Sequence, residues 1–301
     1  MTADATASPT ISVIIPTTCE FSRQSLIERA INSVLTQEGV SAELVVVVNG
    51  DRFDADLLRT LRSDHRLSVL YVDEGHVSRA RLHGLTASTG DFFGFLDDDD
   101  ELLPQALRLR LDQMLADPCI DVLVTNGLIH EAVDVVHVPE GFEVEIHDNP
   151  GLSFLRHNWF ASPASMFRRA TVEGEIFDIS HRYFEWTYLF FRLLSRAKQI
   201  RYSGAITYRK HEDNPLSASR SREYQLALPA MLRDLIGFPL RQELRRIIKK
   251  RYVAALNANS TLHLAERDFP QAIAFHVQCL RAGGWQYIPY TRSILVRALR
   301  R

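Results

Sequence analysis

The run Glu43-Leu-Val-Val-Val-Val48 constrains the fold of this chain more than any other stretch. A strand with one wet face alternates apolar and polar residues; this one is apolar without interruption until Asn49-Gly50 ends it. Such a strand is buried on both faces, as in a parallel sheet covered by helices. Its neighbours fit that reading. Residues 11–15 form a short apolar run that Pro16 is expected to stop, and 67–72 and 91–96 read as further strands. Between them, residues 26–35, 55–61 and 78–87 repeat at helical spacing, and another helix is expected from Pro104, where proline suits a first turn. The order βαβαβαβα predicts an α/β fold: an open, mostly parallel, doubly wound sheet flanked by helices. In such sheets ligands bind beyond the carboxyl ends of the strands, here residues 16–20, 49–51 and 97–100.

After residue 120 the pattern changes. Residues 120–129 and 133–146, including an alternation from Phe142 through Ile146, read as a hairpin or mixed strands. Residues 164–168 and 200–209 read as strands with a helix from Glu185 to Arg196 between them. From Tyr224 onward helical periodicity dominates: Leu240, Leu244, Ile247, Ile248 and Tyr252 make an apolar stripe, and six basic residues between Arg241 and Arg251 occupy much of the rest.

The net charge of −2 conceals an asymmetry, because the first 218 residues carry 20 basic and 32 acidic residues and the last 83 carry 15 and 5. With 46% hydrophobic residues the chain can bury a core, which excludes disorder. No run approaches the ~18 apolar residues of a membrane span. Residues 1–9 lack the basic and apolar regions of a secretory signal and read as a frayed leader. Cys19, Cys119 and Cys279 make neither a metal pattern nor a disulfide framework, which fits a reducing cytoplasm.

Phe95-Leu-Asp-Asp-Asp-Asp-Glu101 is the sharpest local feature. Four carboxylates at one strand end repel one another unless solvent or a cation neutralises them. Hard oxygen ligands suit Mg²⁺ or Mn²⁺, which bind one or two carboxylates plus phosphate oxygens. A solvated acidic loop whose aspartate caps the Pro104 helix explains the run equally well in isolation. An EF-hand would need a glycine at its sixth position and a closing glutamate, which the spacing does not supply. An aspartyl-nucleophile phosphatase would carry Thr or Val where Glu101 follows Asp99.

Several motifs in order then carry a resemblance. Ile11-Ser-Val-Ile-Ile-Pro-Thr17, Glu43-Leu-Val-Val-Val-Val-Asn-Gly-Asp51, His76-Val-Ser-Arg-Ala-Arg-Leu-His-Gly-Leu85 and Thr89-Gly-Asp-Phe-Phe-Gly-Phe-Leu-Asp-Asp-Asp-Asp-Glu-Leu-Leu-Pro104 resemble segments of glycosyltransferase family 2, enzymes of the GT-A fold. Ser162-Pro-Ala-Ser-Met-Phe-Arg-Arg169, Phe177-Asp178 and Tyr208-Arg-Lys-His211 continue the resemblance, which covers residues 10–218. It implies a catalytic domain over 10–218 and a basic helical region over 219–301.

The resemblance also implies roles. Pro16, Thr17 and Thr18 would line the base and ribose of a nucleotide-diphospho-sugar donor, with Glu20 adding a polar contact. Asn49 stands where the family usually has Asp, and an amide still presents a donor and an acceptor. Arg81 would reach the nucleotide or diphosphate, Asp97 and Asp98 would hold the ribose, and Asp99 would ligate Mn²⁺ or Mg²⁺ with His211 as a second ligand. The reaction implied is direct displacement with inversion, a carboxylate taking the proton of the acceptor hydroxyl. The family commonly shows Glu-Asp for that base; here Glu185-Trp186 leaves Glu185 as the candidate and Asp178 in reserve.

Two other classes compete. A glycosyltransferase-like binding protein without catalysis would explain the altered Glu-Asp pair, although the intact aspartate cluster opposes it. A nucleotidyltransferase would need a Gly-rich basic loop after the first strand, which Pro16-Thr-Thr-Cys-Glu20 is not. The expected acceptor is a glycan or lipid-linked glycan. The basic C-terminal helices read either as a solvated face or as a peripheral contact with the inner face of a membrane. Nucleic-acid binding is not expected, since no stacking platform accompanies the charge.

Overall fold

The computed structural model describes residues 9–212 and 221–299. The chain divides into two compact units between Pro215 and Leu216. The expected boundary at 218/219 and the expected leader, apart from Pro9, lie outside the described residues.

The first unit is built on one sheet of nine strands: β1 (Thr10–Thr17), β2 (Ser41–Asn49), β3 (Leu67–Val72), β4 (Phe92–Phe95), β5 (Glu101–Leu102), β6 (Val122–His130), β7 (Asp134–Val136), β8 (Ser165–Arg168) and β9 (Ile200–His211). Their order is β3-β2-β1-β4-β8-β6-β9-β5, with β7 beside β6. β3, β2, β1 and β4 pair in parallel. Beyond β4 the sheet is mixed: β8 pairs antiparallel with both β4 and β6, whereas β6 and β9 are parallel. The helices are α1 (Gln24–Leu35), α2 (Ala55–Ser63), α3 (Val77–Ala87), α4 (Ala106–Ala116), α5 (Phe142–Asp148), α6 (Pro150–Arg156) and α7 (Glu185–Ser195).

Val45, Val46, Val47 and Val48 are each wholly inaccessible, as their unbroken apolar run requires. Full burial of one such side chain is worth about 1.5–3 kcal/mol. That offsets the roughly 1–2 kcal/mol of backbone entropy lost at each residue. Local signals set the helix ends; Asp54, for example, caps α2 by accepting from the Asp56 and Leu57 amides.

Three expectations are corrected. Pro16 does not stop β1 but lies inside it. The Ile14 carbonyl accepts from Leu96 on the β4 side, so Pro16, two residues on, turns its missing N–H toward the same side, past the end of β4. The alternation from Phe142 to Ile146 forms helix α5 instead of a strand. Phe142 and Ile146, four apart, face inward together, whereas Val144, which a strand would place beside them, is exposed. Helix α4 begins at Ala106 after a left-handed Gln105, and no aspartate caps it. The acidic loop therefore has no capping duty.

The second unit contains α8 (Arg222–Ile236), α9 (Gln242–Ala265), α10 (Phe269–Arg281) and α11 (Ile288–Leu299). Leu244 and Ile248 of the expected apolar stripe are buried. Among the described residues no helix is long and apolar enough to cross a membrane.

Candidate active site

The carboxyl ends of β1, β2 and β4 bring the sequence-predicted residues into one region. Thr17 ends β1, and its hydroxyl donates to Asp98 Oδ2 at 2.6 Å while accepting from the Cys19 amide at 2.9 Å. Asn49 ends β2 and donates through Nδ2 to the Thr17 carbonyl at 2.9 Å, locking the two strand ends together. Pro16 is buried, Thr18 keeps a buried hydroxyl without a partner, and half-buried Glu20 lies 3.4 Å from Arg52.

The four aspartates after β4 have separate environments. Asp97 accepts from Arg81 Nη2 at 2.7 Å. Asp98, 5% exposed, takes Arg23 Nε at 2.8 Å on Oδ2 and Arg23 Nη2 on Oδ1. With Thr17 also bound, Asp98 is a junction between β1, the following turn and the acidic loop. Asp99 receives Arg23 Nη2 at 3.1 Å, and Arg29 donates to its carbonyl. Burial, followed by the charges of Asp97 and Asp98, still raises the Asp99 pKa above the ordinary carboxylate value. Asp100 is deeply buried, and burial with Asp97 and Asp99 raises it well above that value against the hydrogen bond from the His211 amide.

That amide comes from β9. Short β5 pairs Glu101 opposite Arg209, which carries His211 to the edge of the acidic loop. The His211 ring places Nε2 3.3 Å from Glu101 Oε1. Among the described residues no group of three or more His, Cys, Asp and Glu side chains surrounds one point. An all-protein cage for a cation is therefore absent among the described residues. A magnesium-type site needs none, since one or two carboxylates plus phosphate and water oxygens suffice. The crowded, incompletely neutralised Asp99 carboxylate fits such a site.

The other wall is made by α3 and α7. Arg81, 8% exposed, spans from Asp97 to the face of Trp186, 5.2 Å from the ring centroid. Glu185 opens α7. Burial raises its pKa and Asp97 adds to the rise, while Arg81 pulls it back without cancelling it. Glu185, Arg81, Trp186 and Ser78 line a narrow cavity with Phe177, Ile179 and Leu189. Ser78 Oγ, Arg81 Nε and Trp186 Nε1 are buried there without a hydrogen-bond partner. Such unpaired donors are groups that a bound hydroxyl or water can satisfy. Asp178, by contrast, is 61% exposed, pairs with Arg79 at 3.1 Å and does not line this cavity.

Sequence reasoning missed Arg23 and Arg29, the cations that anchor the acidic loop. Neither belongs to a motif, and only the packing of α1 beside the loop shows their use. Trp186 was read as a lost carboxylate; it is also the platform for Arg81.

The parallel half-sheet, the mixed half beyond it and the acidic loop between them make up the GT-A fold. S. aureus TarS, crystallised as residues 1–349 in complex with UDP-GlcNAc, shares it with a TM-score of 0.62 at 16% identity, over 91% of this chain and 81% of that one. Residues 12–181 match the family described as Glycosyl transferase family 2, and the chain belongs to that family. A GalNAc(5)-diNAcBac-PP-undecaprenol beta-1,3-glucosyltransferase of Campylobacter jejuni is 34% identical over 109 residues, 35% of this chain and 34% of that protein. An uncharacterized glycosyltransferase of Bacillus subtilis, EpsJ, is 26% identical over 218 residues, 71% of this chain and 57% of that protein. The chain thus spans between a third and somewhat over half of these curated relatives.

Proposed function

We infer that this chain transfers a sugar from a nucleotide-diphospho-sugar to a hydroxyl of a glycan or lipid-linked glycan, with inversion. The observation that carries this reading is the grouping of Arg81, Asp97 and Glu185 at the strand ends, beside a cavity with unpaired donors. The undecaprenol-linked substrate in the name of the Campylobacter relative and the UDP-GlcNAc in the TarS complex support the acceptor and donor classes.

In this reading Pro16, Thr17, Thr18, Glu20 and Asn49 border the nucleotide, and Arg81 offers a fixed cation toward the diphosphate. Glu185 takes the acceptor proton as that oxygen bonds to the anomeric carbon and the carbon–diphosphate bond breaks. Its raised pKa makes it a stronger base than an ordinary carboxylate once ionised. Asp99, with His211 turned from Glu101, would hold Mn²⁺ or Mg²⁺. When bound, that ion supplies charge neutralisation of the departing diphosphate.

The test is incubation with a panel of nucleotide sugars, a glycan acceptor and Mn²⁺, reading released nucleoside diphosphate. Turnover with one donor, lost in Glu185→Gln while nucleotide binding persists, is expected. Unchanged turnover in that variant would move the base to Asp178. Trp186, standing where the family has its second carboxylate, favours a second reading as a nucleotide- or glycan-binding protein. Nucleotide binding without turnover across the panel would establish it.

A further inference from the structure

Helix α9 carries an unusual run of exposed cations. Arg245, Arg246, Lys249 and Lys250 are all exposed, and at 100° per residue they lie within one arc of about 140°, opposite buried Leu244 and Ile248. None of the four forms an ion pair with a carboxylate among the described residues. A face that only needed hydration would gain by interspersed acids, and between Arg245 and Arg251 there is none.

The arc runs into an apolar corner. Val253 falls in the middle of the same arc, one turn beyond Lys249 and Lys250, yet it is buried. What covers it is the turn after α10: a Cβ added at Gly284 would stand 2.8 Å from Val253 Cγ1 and 2.5 Å from Cys279 Sγ. Only glycine permits that approach, and with Tyr287 packed on the same cluster it seats the chain from Trp285 to Tyr290 against Val253, one turn from Lys249 and Lys250. There Trp285 is 65% exposed, Ile288 49% and Tyr290 46%.

We propose that the cationic arc of α9 and the Trp285–Tyr290 corner together form a docking surface for an anionic lipid bilayer. Cations are drawn to the negative leaflet, and exposed Trp and Tyr rings settle at headgroup depth. An acidic glycan would satisfy the charges but leave Ile288 in water. The surface is independent of the transfer reaction, so its test needs no turnover.

The full chain is sedimented with vesicles of phosphatidylcholine alone or with added phosphatidylglycerol. Binding only to the anionic vesicles, weakened by salt, is expected, with Trp285 emission quenched by brominated lipid. Lys249→Ala with Lys250→Ala should weaken binding by about 25-fold, at about fivefold per basic side chain. Trp285→Ser with Ile288→Ser should weaken it and abolish the quenching. All four side chains are exposed, so unchanged thermal melting confirms intact variants. Equal binding by wild type and variants overturns the proposal. So does heparin binding without lipid quenching, which assigns the face to acidic glycans. A dimer that Trp285→Ser dissolves would assign it to a second copy of the chain.

Discussion

Replacing Gly84 with Ala puts the packing of α3, and through it the position of Arg81, to a quantitative test. In an exposed helix the change would stabilise by about 1 kcal/mol, the difference in helix propensity. Here the new methyl would stand 2.9 Å from Val47 Cγ2 and nearer still to Ile14 Cγ2, both on wholly buried side chains. Comfortable carbon contacts need about 3.5–4.0 Å. The helix must therefore back away from β1 and β2 by roughly 1 Å. Overpacking of this kind costs about 1–3 kcal/mol, and with two immobile neighbours the upper part of that range applies. The net expectation is destabilisation by about 1–2 kcal/mol, read as a lower urea midpoint by circular dichroism.

The functional consequence follows from geometry. Arg81 lies one turn before Gly84 and holds Asp97 at 2.7 Å, so a shift of about 1 Å breaks that bond. Misplacement on this scale can cost about 100-fold in rate. Adding Ile14→Ala makes room for the methyl, and the double variant should be less destabilised than the sum of the singles by about 1 kcal/mol or more. Gly84→Ala as stable as wild type, or more so, would refute the reasoning. The glycine of the Ser-x-Ala-Arg-x-x-Gly-Leu segment would then have no packing role.

Two further outcomes are expected. Asp99→Ala should retain the fold, because it removes charge from a crowded loop, but lower cation-dependent transfer at least ~100-fold; full activity would sink the cation assignment. Glu185→Gln has a definite pH signature. The Glu185 pKa is raised in the folded chain, so its contribution to stability is present below the unfolded value and lost as pH rises through the folded one. Stability relative to wild type should therefore grow between about pH 4 and the folded pKa, and a pH-independent difference in urea melts would contradict the burial of Glu185.

Element type was legible where periodicity was long and one-sided. The Val45–Val48 run announced burial on both faces, and the strand-end motifs pointed to the places where Thr17, Asn49 and Asp98 meet. Short segments were not legible. Five residues from Phe142 fit a strand and a helix alike until Ile146 found its partners, and Pro16 could remain in β1 only because β4 ends beside it.

By itself, the sequence determined a helix-covered parallel half-sheet and a carboxylate cluster at its edge, because runs of β-branched residues and neighbouring charges act over a few positions. Tertiary structure alone decided how that cluster is held. Arg23 reaches Asp98 across 75 residues, and His211 reaches Asp100 across 111. These pairings decide which carboxylate is tied to a guanidinium and which to a strand amide. They depend on how strands distant in the chain come to lie side by side, which no local pattern encodes.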